Sequence, residues 1–410
     1  MIIRDAVHGD LEFTEAERRI MDTPQFQRLR GVRQTGTAYL VYPGCLHTRF
    51  EHSLGTSAVA RRIVASLRRG AEIDDRQEAI VALGALVHDV SHLPFGHTFE
   101  DERKLFPRHD TSDRLKNFLT GGELGEAIEA SGVGDEVISL LTDETYHTPW
   151  MRQVIASTID ADLLDYLRRD AYFAGLRQDY DDRIFSTFVI EDNRLAVDTT
   201  KMSTRTEILH LLRLRYFLTE RVYYHHAKVV SGAMIAKAVE LAVQDGLTEQ
   251  DLYPLTDDGL LRMLAGRGDD RIDRLIRNLN QRRLLKRSYT LTTVQVGRRG
   301  RDELIATYNR SIEARQEVEQ QIADAVVLDP DQVILYCPDI SSIKEARVLV
   351  RAPEGLRRLN EPRDSPPFDI KAIEDQYERL WRLYIFAPKG YRDRVSSVCA
   401  RIFNEPSDTI

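Results

Sequence analysis

The stretch Gly84-Ala-Leu-Val-His-Asp-Val-Ser-His92 decides how this chain is read. Ala85, Leu86, Val87 and Val90 mark a buried, helical segment, and His88 and Asp89 interrupt it. An imidazole and a carboxylate are costly to bury unless they are paired or bind a metal. Six of the eleven histidines (His47, His52, His88, His92, His97 and His109) fall in this one part of the chain, too many for a single satisfied core histidine to explain. Asp162 and Asp165 stand in a second apolar helical pattern. Such a distribution fits a metal site assembled from separate helices.

Working outward, apolar positions recur at helical spacing in Ser57–Arg68, Gln77–His88, Met151–Arg168, Thr206–Tyr224 and Ala233–Val243. Thr23-Pro24 reads as a helix start, with proline at the first helical position. Pro94 and Gly96 end the helix that carries His88, which puts His92 near its end and His97 beyond the turn. Arg194–Asp198 reads as half of a small hairpin. From about residue 331 the texture changes. Val333–Tyr336, Ala346–Val350 and Arg382–Phe386 are β-rich, and a helical pattern over Tyr391–Phe403 follows them. The expectation is a mainly α protein, with a helical domain over 1–328 and a small α+β domain over 329–410.

The bulk properties narrow the class. With 410 residues, 42% hydrophobic and 30% charged, the chain has the make-up of a soluble globular protein. A net charge of −8 argues against general affinity for nucleic acid. No apolar run approaches the ~18 residues that would span a bilayer, so no membrane association is expected. The N-terminus lacks the apolar core of a secretory signal. Cys45, Cys337 and Cys399 form no CxxC framework and suggest a reducing compartment, so cytoplasmic residence is expected. No GxxxxGK[ST] loop is present, which excludes a P-loop machine.

His88 and Asp89 point about 100° apart on a helix, yet an ion approaching between them reaches both. His92, one turn on, shares the His88 face. His52 and Asp162 would come from other helices. Two imidazoles and two carboxylates suit one divalent ion (Mn, Fe, Mg, Co, Ni or Zn); Cu(I) would call for thiolates. Such an ion polarises a phosphoryl oxygen. Arg49, three residues before His52, and Arg215 are candidates to balance substrate charge, and a histidine outside the ligand set is a candidate general acid.

The segments Asp5-Ala-Val-His-Gly9, Asp22-Thr-Pro-Gln-Phe-Gln-Arg-Leu-Arg30, Tyr42 to Gly55, His88 to His97 and Asp160 to Gly175 together resemble the HD-domain dNTP triphosphohydrolases. That family includes bacterial dGTPase-like enzymes and an animal enzyme joining a SAM domain to an HD domain. The resemblance implies a helical HD core in which His52, His88, Asp89 and Asp162 hold the metal. It implies that His92, His97 and His109 line the phosphate site, with His97 as general acid and Glu100 as its partner. Arg49, Tyr166, Asp170 and Arg215 match substrate-binding positions, Gln34 a residue near the deoxyribose, and Tyr223 one packed on the sugar. The implied reaction is hydrolysis at the α-phosphorus of a dNTP, giving a deoxynucleoside and inorganic triphosphate.

Asp22, Gln27 and Arg30 resemble a guanine-reading effector set, which implies a GTP or dNTP effector and, because such sites lie between subunits, a homo-dimer or homo-tetramer. Leu163 stands where the animal enzyme has a lysine that touches the phosphate chain, and Thr35 replaces a leucine near the sugar. Two other readings stay open at this level. One is an HD phosphohydrolase acting on another phosphoester: a nucleoside monophosphate, a cyclic dinucleotide or single-stranded nucleic acid. The other is a non-catalytic nucleotide sensor.

Overall fold

Three capped helices carry the site. Thr48 and Glu51 form a reciprocal capping box at the start of α1 (Arg49–Leu67), and Asp74 and Gln77 do the same for α2 (Asp75–Val87). Asp160 accepts from Leu163 N and opens α3 (Ala161–Phe173). These elements are seen in a computed structural model, which describes all residues except 102, 111–112, 340–343, 354, 362–367 and 409–410. The protein is mainly α. α1 packs against both α2 and α3 and is buried along most of its length.

Two of the expected helices differ in detail. The Met151–Arg168 pattern is two helices, Pro149–Ile155 and α3. Between them Asp160 accepts from Ser157 N as well as Leu163 N, a local bonding pattern that competes with a continuous helix. α2 stops at Val87, with His88 as its C-cap. The chain then runs through tight turns closed by Val90 N to Val87 O and His92 N to Asp89 O. His92 therefore does not lie one helical turn along α2 from His88; it reaches the site from a turn.

The Thr206–Tyr224 pattern is α4 (Met202–Leu218), which runs into a π-helical turn over Thr219–Tyr223, a bulge that often occurs at functional sites. α5 (His226–Gln244) follows. A second apolar cluster forms around α5. Leu93, Phe95 and Phe99 are buried in it, which seats the segment after α2 on the second half of the chain.

Among the described residues, three small sheets complete the fold. The hairpin β1 (Ile2–Asp5) and β2 (Gly9–Glu12) opens the chain. The anticipated hairpin around Arg194 is β3 (Phe188–Glu191) with β4 (Arg194–Asp198). β5 (Lys286–Thr292) was not foreseen. Beyond it come β6 (Ile334–Tyr336), β7 (Leu349–Ala352), β8 (Gly355–Arg358) and β9 (Arg382–Ala387). One sheet has the order β3-β4-β7-β8, with β4 and β7 parallel, and another the order β5-β9-β6. Strands from after residue 329 thus pair with strands from well before it. The texture change is real, since a helix ends at Val326, but both sheets are built across the expected domain boundary. Among the described residues no helix is long and apolar enough to cross a membrane.

α1 and α3 meet at Gly55. A methyl group there would lie 1.9 Å from Asp165 Oδ1 and 2.2 Å from an Arg169 guanidinium nitrogen. Alanine gains ~1 kcal/mol in helix propensity, but overpacking against two buried charged groups outweighs it. Gly55→Ala is expected to destabilise the fold by about 3 kcal/mol, read from chemical denaturation; an equal or higher midpoint would show that α1 and α3 are not in fixed contact.

Candidate active site

α1 supplies His52, the C-cap of α2 supplies His88, the turn after it supplies Asp89, and the first turn of α3 supplies Asp162. His52 Nε2 lies 3.0 Å from Asp162 Oδ1 and 3.6 Å from Asp89 Oδ2. His88 Nε2 lies 3.4 Å from Asp89 Oδ1 and 3.8 Å from Asp162 Oδ1. Both nitrogens are buried and make no hydrogen bond. Two orphaned imidazole nitrogens and the Asp162 carboxylate form a donor set that could hold a divalent ion, with the Asp89 carboxylate 3.4 to 3.6 Å from the same nitrogens. The field is strongly negative. Burial opposes charge on His52, yet Asp162 and Asp165 override it and lift its pKa to about 10. Burial works against ionisation of Asp162, but His52 and His88 hold its carboxyl well below the usual range.

The other ring nitrogens are fixed from behind. His52 Nδ1 donates to Asp165 Oδ2 at 2.7 Å and His88 Nδ1 to Ala85 O at 2.7 Å, so each ring is oriented with Nε2 facing the cluster, where a bound cation would displace the Nε2 proton. Asp165 is wholly buried. Its second oxygen meets His8 Nε2 at 2.7 Å, and Arg169 donates to both oxygens at 2.8 and 2.9 Å. Arg169 also binds Asp5 at 2.8 Å, which ties the N-terminal hairpin to the metal cluster. Spacing by four sorts the faces of α3: Asp165 and Arg169 point into the core, while Asp162, Tyr166 and Asp170 follow one another on the site side. Asp162 and Asp165 read alike in the sequence, and the structure separates them, with Asp162 in the ligand cluster and Asp165 behind it. The i,i+4 relation of Asp165 to Arg169 was the available signal.

On the other side of Asp89 lies a histidine cluster. His92 Nε2 sits 3.1 Å from Asp89 Oδ1, and the rings of His92 and His109 lie 3.6 Å apart. His97 stacks edge-on against both, at 4.8 and 5.2 Å. His109 Nδ1 donates to Glu100 at 3.0 Å, and Arg114 holds the other Glu100 oxygen at 2.8 Å. His97 Nδ1 faces Asp101 at 3.3 Å and Glu100 at 3.4 Å. Its side chain remains 45% exposed, so it opens onto the cleft. Burial, reinforced by Arg49 and His109, keeps His92 well below its ordinary pKa. His97 goes the other way: partial desolvation opposes its charge, but Asp101 and Glu100 override it and raise it to about 9. Arg49 donates to Asp89 Oδ2 at 2.5 Å. Its guanidinium lies against Gly96, where a methyl would sit 2.7 Å from it.

Further along α3, Tyr166 stands 6.5 Å ring to ring from His52 and accepts from Arg215. Tyr223, on the π-helical turn, donates to Asp170 at 2.6 Å, while His47 holds the other Asp170 oxygen at 2.7 Å. Gln34 joins this group through its backbone, which donates to His47 O, and its buried Oε1 makes no hydrogen bond. Leu163 is buried in the core. Of the effector set, Arg30 Nε donates to Gln27 at 2.8 Å and its guanidinium lies 3.5 Å over the Phe50 ring. Asp22 pairs with Arg18 instead, at 2.5 Å.

Residues 49–170 match the HD domain family, and residues 179–409 match the family described as the HD associated region. An uncharacterised protein of Methanocaldococcus jannaschii is 29% identical over 400 residues, covering 95% of this chain and 79% of its own length. The deoxynucleoside triphosphate triphosphohydrolase SAMHD1 homologue of Dictyostelium discoideum is 28% identical over 70% of this chain, and the SAMHD1 of Gallus gallus 29% identical over 59%. The chain spans 59% and 45% of those two proteins, about half their length. A solved phosphohydrolase from Bacteroides thetaiotaomicron shares the fold, with a TM-score of 0.71 at 22% identity over 95% of this chain and all of its own. The chain belongs to the HD-domain phosphohydrolases, with an HD domain followed by the HD associated region that matches more than half of it.

Asp165→Asn leaves the shape but removes the anion that fixes the His52 tautomer. Divalent-metal affinity is expected to fall about 10- to 100-fold in chelator competition; wild-type affinity would show that His52 is oriented by something else.

Proposed function

We propose that the protein hydrolyses deoxynucleoside triphosphates at the α-phosphorus, releasing a deoxynucleoside and inorganic triphosphate. The observation that carries this reading is the juxtaposition of the two orphaned Nε2 atoms and two carboxylates with a histidine cluster and Arg49 across Asp89. His52, His88, Asp89 and Asp162 would hold one divalent ion, which when bound supplies Lewis acidity towards phosphoryl oxygens. Arg49, His92 and His109 would contact the phosphate chain. As water forms its bond to the α-phosphorus, the bond to the 5′-oxygen breaks and His97 gives that oxygen its proton from Nε2. Asp101 and Glu100 hold the opposite nitrogen and keep the ring charged beforehand.

Tyr166 and Asp170 would bind the substrate, Arg215 would balance its charge, and Gln34 and Tyr223 would receive the sugar. Asp22, Gln27 and Arg30 would receive a GTP or dNTP effector in a homo-dimer or homo-tetramer. Leu163 favours a second reading, in which the substrate is another phosphoester: no cation can come from a side chain buried in the core.

A product-resolved assay with Mn²⁺ or Mg²⁺ and each dNTP, with and without GTP, separates the two. Deoxynucleoside plus triphosphate supports the proposal; untouched dNTPs with cleavage of mononucleotides or oligonucleotides supports the second. His97→Ala is expected to lower kcat about 10²- to 10⁴-fold.

The acid form of His97 is present below its raised pKa of about 9 and is lost as pH rises through it. The kcat profile should therefore fall on the alkaline side near 9, and Asp101→Asn should move that limb to lower pH. An alkaline limb that stays put in Asp101→Asn would assign the acid to another group.

A further inference from the structure

After α2 the chain from His88 to His97 has no regular structure apart from a short 3-10 turn over Gly96–Thr98. It nevertheless sets His88 and His92 against Asp89, at 3.4 and 3.1 Å, and His97 edge-on to His92. Its sharpest feature is a pair of left-handed residues, Phe95 at φ 60° and Gly96 at φ 56°. Glycine adopts that conformation freely. Phenylalanine does not, and it persists there only where the surroundings enforce it.

Two buried side chains of opposite charge, from elements far apart in sequence, hold this backbone. Arg28, in the 3-10 turn Arg28–Gly31, donates to Val90 O at 2.9 Å and to His92 O at 2.7 Å. It donates also to Leu255 O at 3.1 Å, just before α6 (Asp257–Ala265). Asp257, the first residue of α6, accepts from Phe95 N at 2.7 Å with one oxygen and from Arg33 N at 3.0 Å with the other. Asp257 is fully buried and Arg28 is 9% exposed. The two elements are also pressed together directly: a methyl at Gly31 would lie 2.4 Å from Thr256 Cγ2.

Burying a guanidinium and a carboxylate is costly, and an apolar pair of the same volume would fill the space as well. What an apolar pair lacks is direction. Arg28 fixes the carbonyls at 90 and 92, before Pro94, and Asp257 fixes the amide at 95, after it. Between them they determine how the backbone enters and leaves the turn, and so where the rings of His92 and His97 stand.

We propose that Arg28 and Asp257 are positioning residues, a clasp through which the start of α6 and the Arg28–Arg33 segment hold the His92–His97 turn in its working geometry. Neither side chain contacts the metal-ligand cluster. The kinetic part of the proposal rests on the reading of His97 as general acid; the structural part does not.

Full-length Asp257→Asn and Arg28→Lys test it, with Arg299→Ala, on the exposed surface, as control. Asparagine keeps one acceptor and turns an NH2 towards the other amide. Lysine keeps the charge but cannot reach three carbonyls. Hydrogen exchange of the peptide spanning 88–99 is expected to rise about tenfold or more in both variants, while peptides in α1 and α3 stay protected. Bound Mn²⁺ per chain should match wild type. On whichever dNTP the wild type cleaves, kcat should drop about 10- to 100-fold with KM within about threefold.

Unchanged exchange over 88–99 in both variants would overturn the clasp, and so would a rise spread evenly over the whole chain, which marks general destabilisation. If the wild type cleaves no dNTP, the exchange pattern alone decides: a local rise supports the clasp, and no rise refutes it. If one variant does not fold, the other decides on the same readouts.

Discussion

Asp165 carries no chemistry of its own, yet its bond to His52 Nδ1 is the constraint on which the site depends. A buried carboxylate is tolerable only with its lone pairs filled, and His52, His8 and Arg169 fill them. In doing so it holds the proton on His52 Nδ1 and aims Nε2 at the ligand cluster. The same carboxylate requires Gly55 opposite it on α1 and draws the N-terminal hairpin in through Arg169 and Asp5. Helix packing, hairpin docking and ligand orientation are therefore one interaction seen from three sides.

Asp89 joins two regions of opposite character. Towards His52, His88 and Asp162 the surroundings are carboxylate-rich and demand a cation. Towards His92, His97 and His109 they are rich in imidazoles backed by Glu100, with the Arg49 guanidinium beside them. Burial pushes Asp89 towards neutrality, but Arg49, His88 and His92 keep it well below the usual carboxylate range. A phosphate chain laid across this junction would meet donors on one side and an electrophilic centre on the other, which is the electrostatic requirement of phosphoryl transfer.

Much of this was legible in the chain. The helical periods over Gln77–His88 and Met151–Arg168 contain His88 and Asp162, whereas the period from Ser57 begins after His52, which α1 includes, and Thr23-Pro24 marks a true helix start. The features that escaped are those whose partners lie far off. β5 has the mixed sequence Lys-Arg-Ser-Tyr-Thr-Leu-Thr, and only its pairing with β9 makes it a strand. The domain boundary near 329 reflected a real change of texture but could not show that both sheets cross it. His92 was placed on the α2 face because an apolar period does not reveal that the helix stops at its own cap. Arg28 and Asp257 bond to backbone atoms, and backbone atoms leave no trace in side-chain patterns.

The central claim is that four side chains from α1, α2 with its cap, and α3 share one divalent cation. Anomalous diffraction from crystals grown with Mn²⁺, recorded at the manganese edge, tests it most directly. The account predicts a single strong peak enclosed by His52 Nε2, His88 Nε2 and the carboxylates of Asp89 and Asp162. A peak elsewhere, or none between those groups at full metal loading, would contradict it.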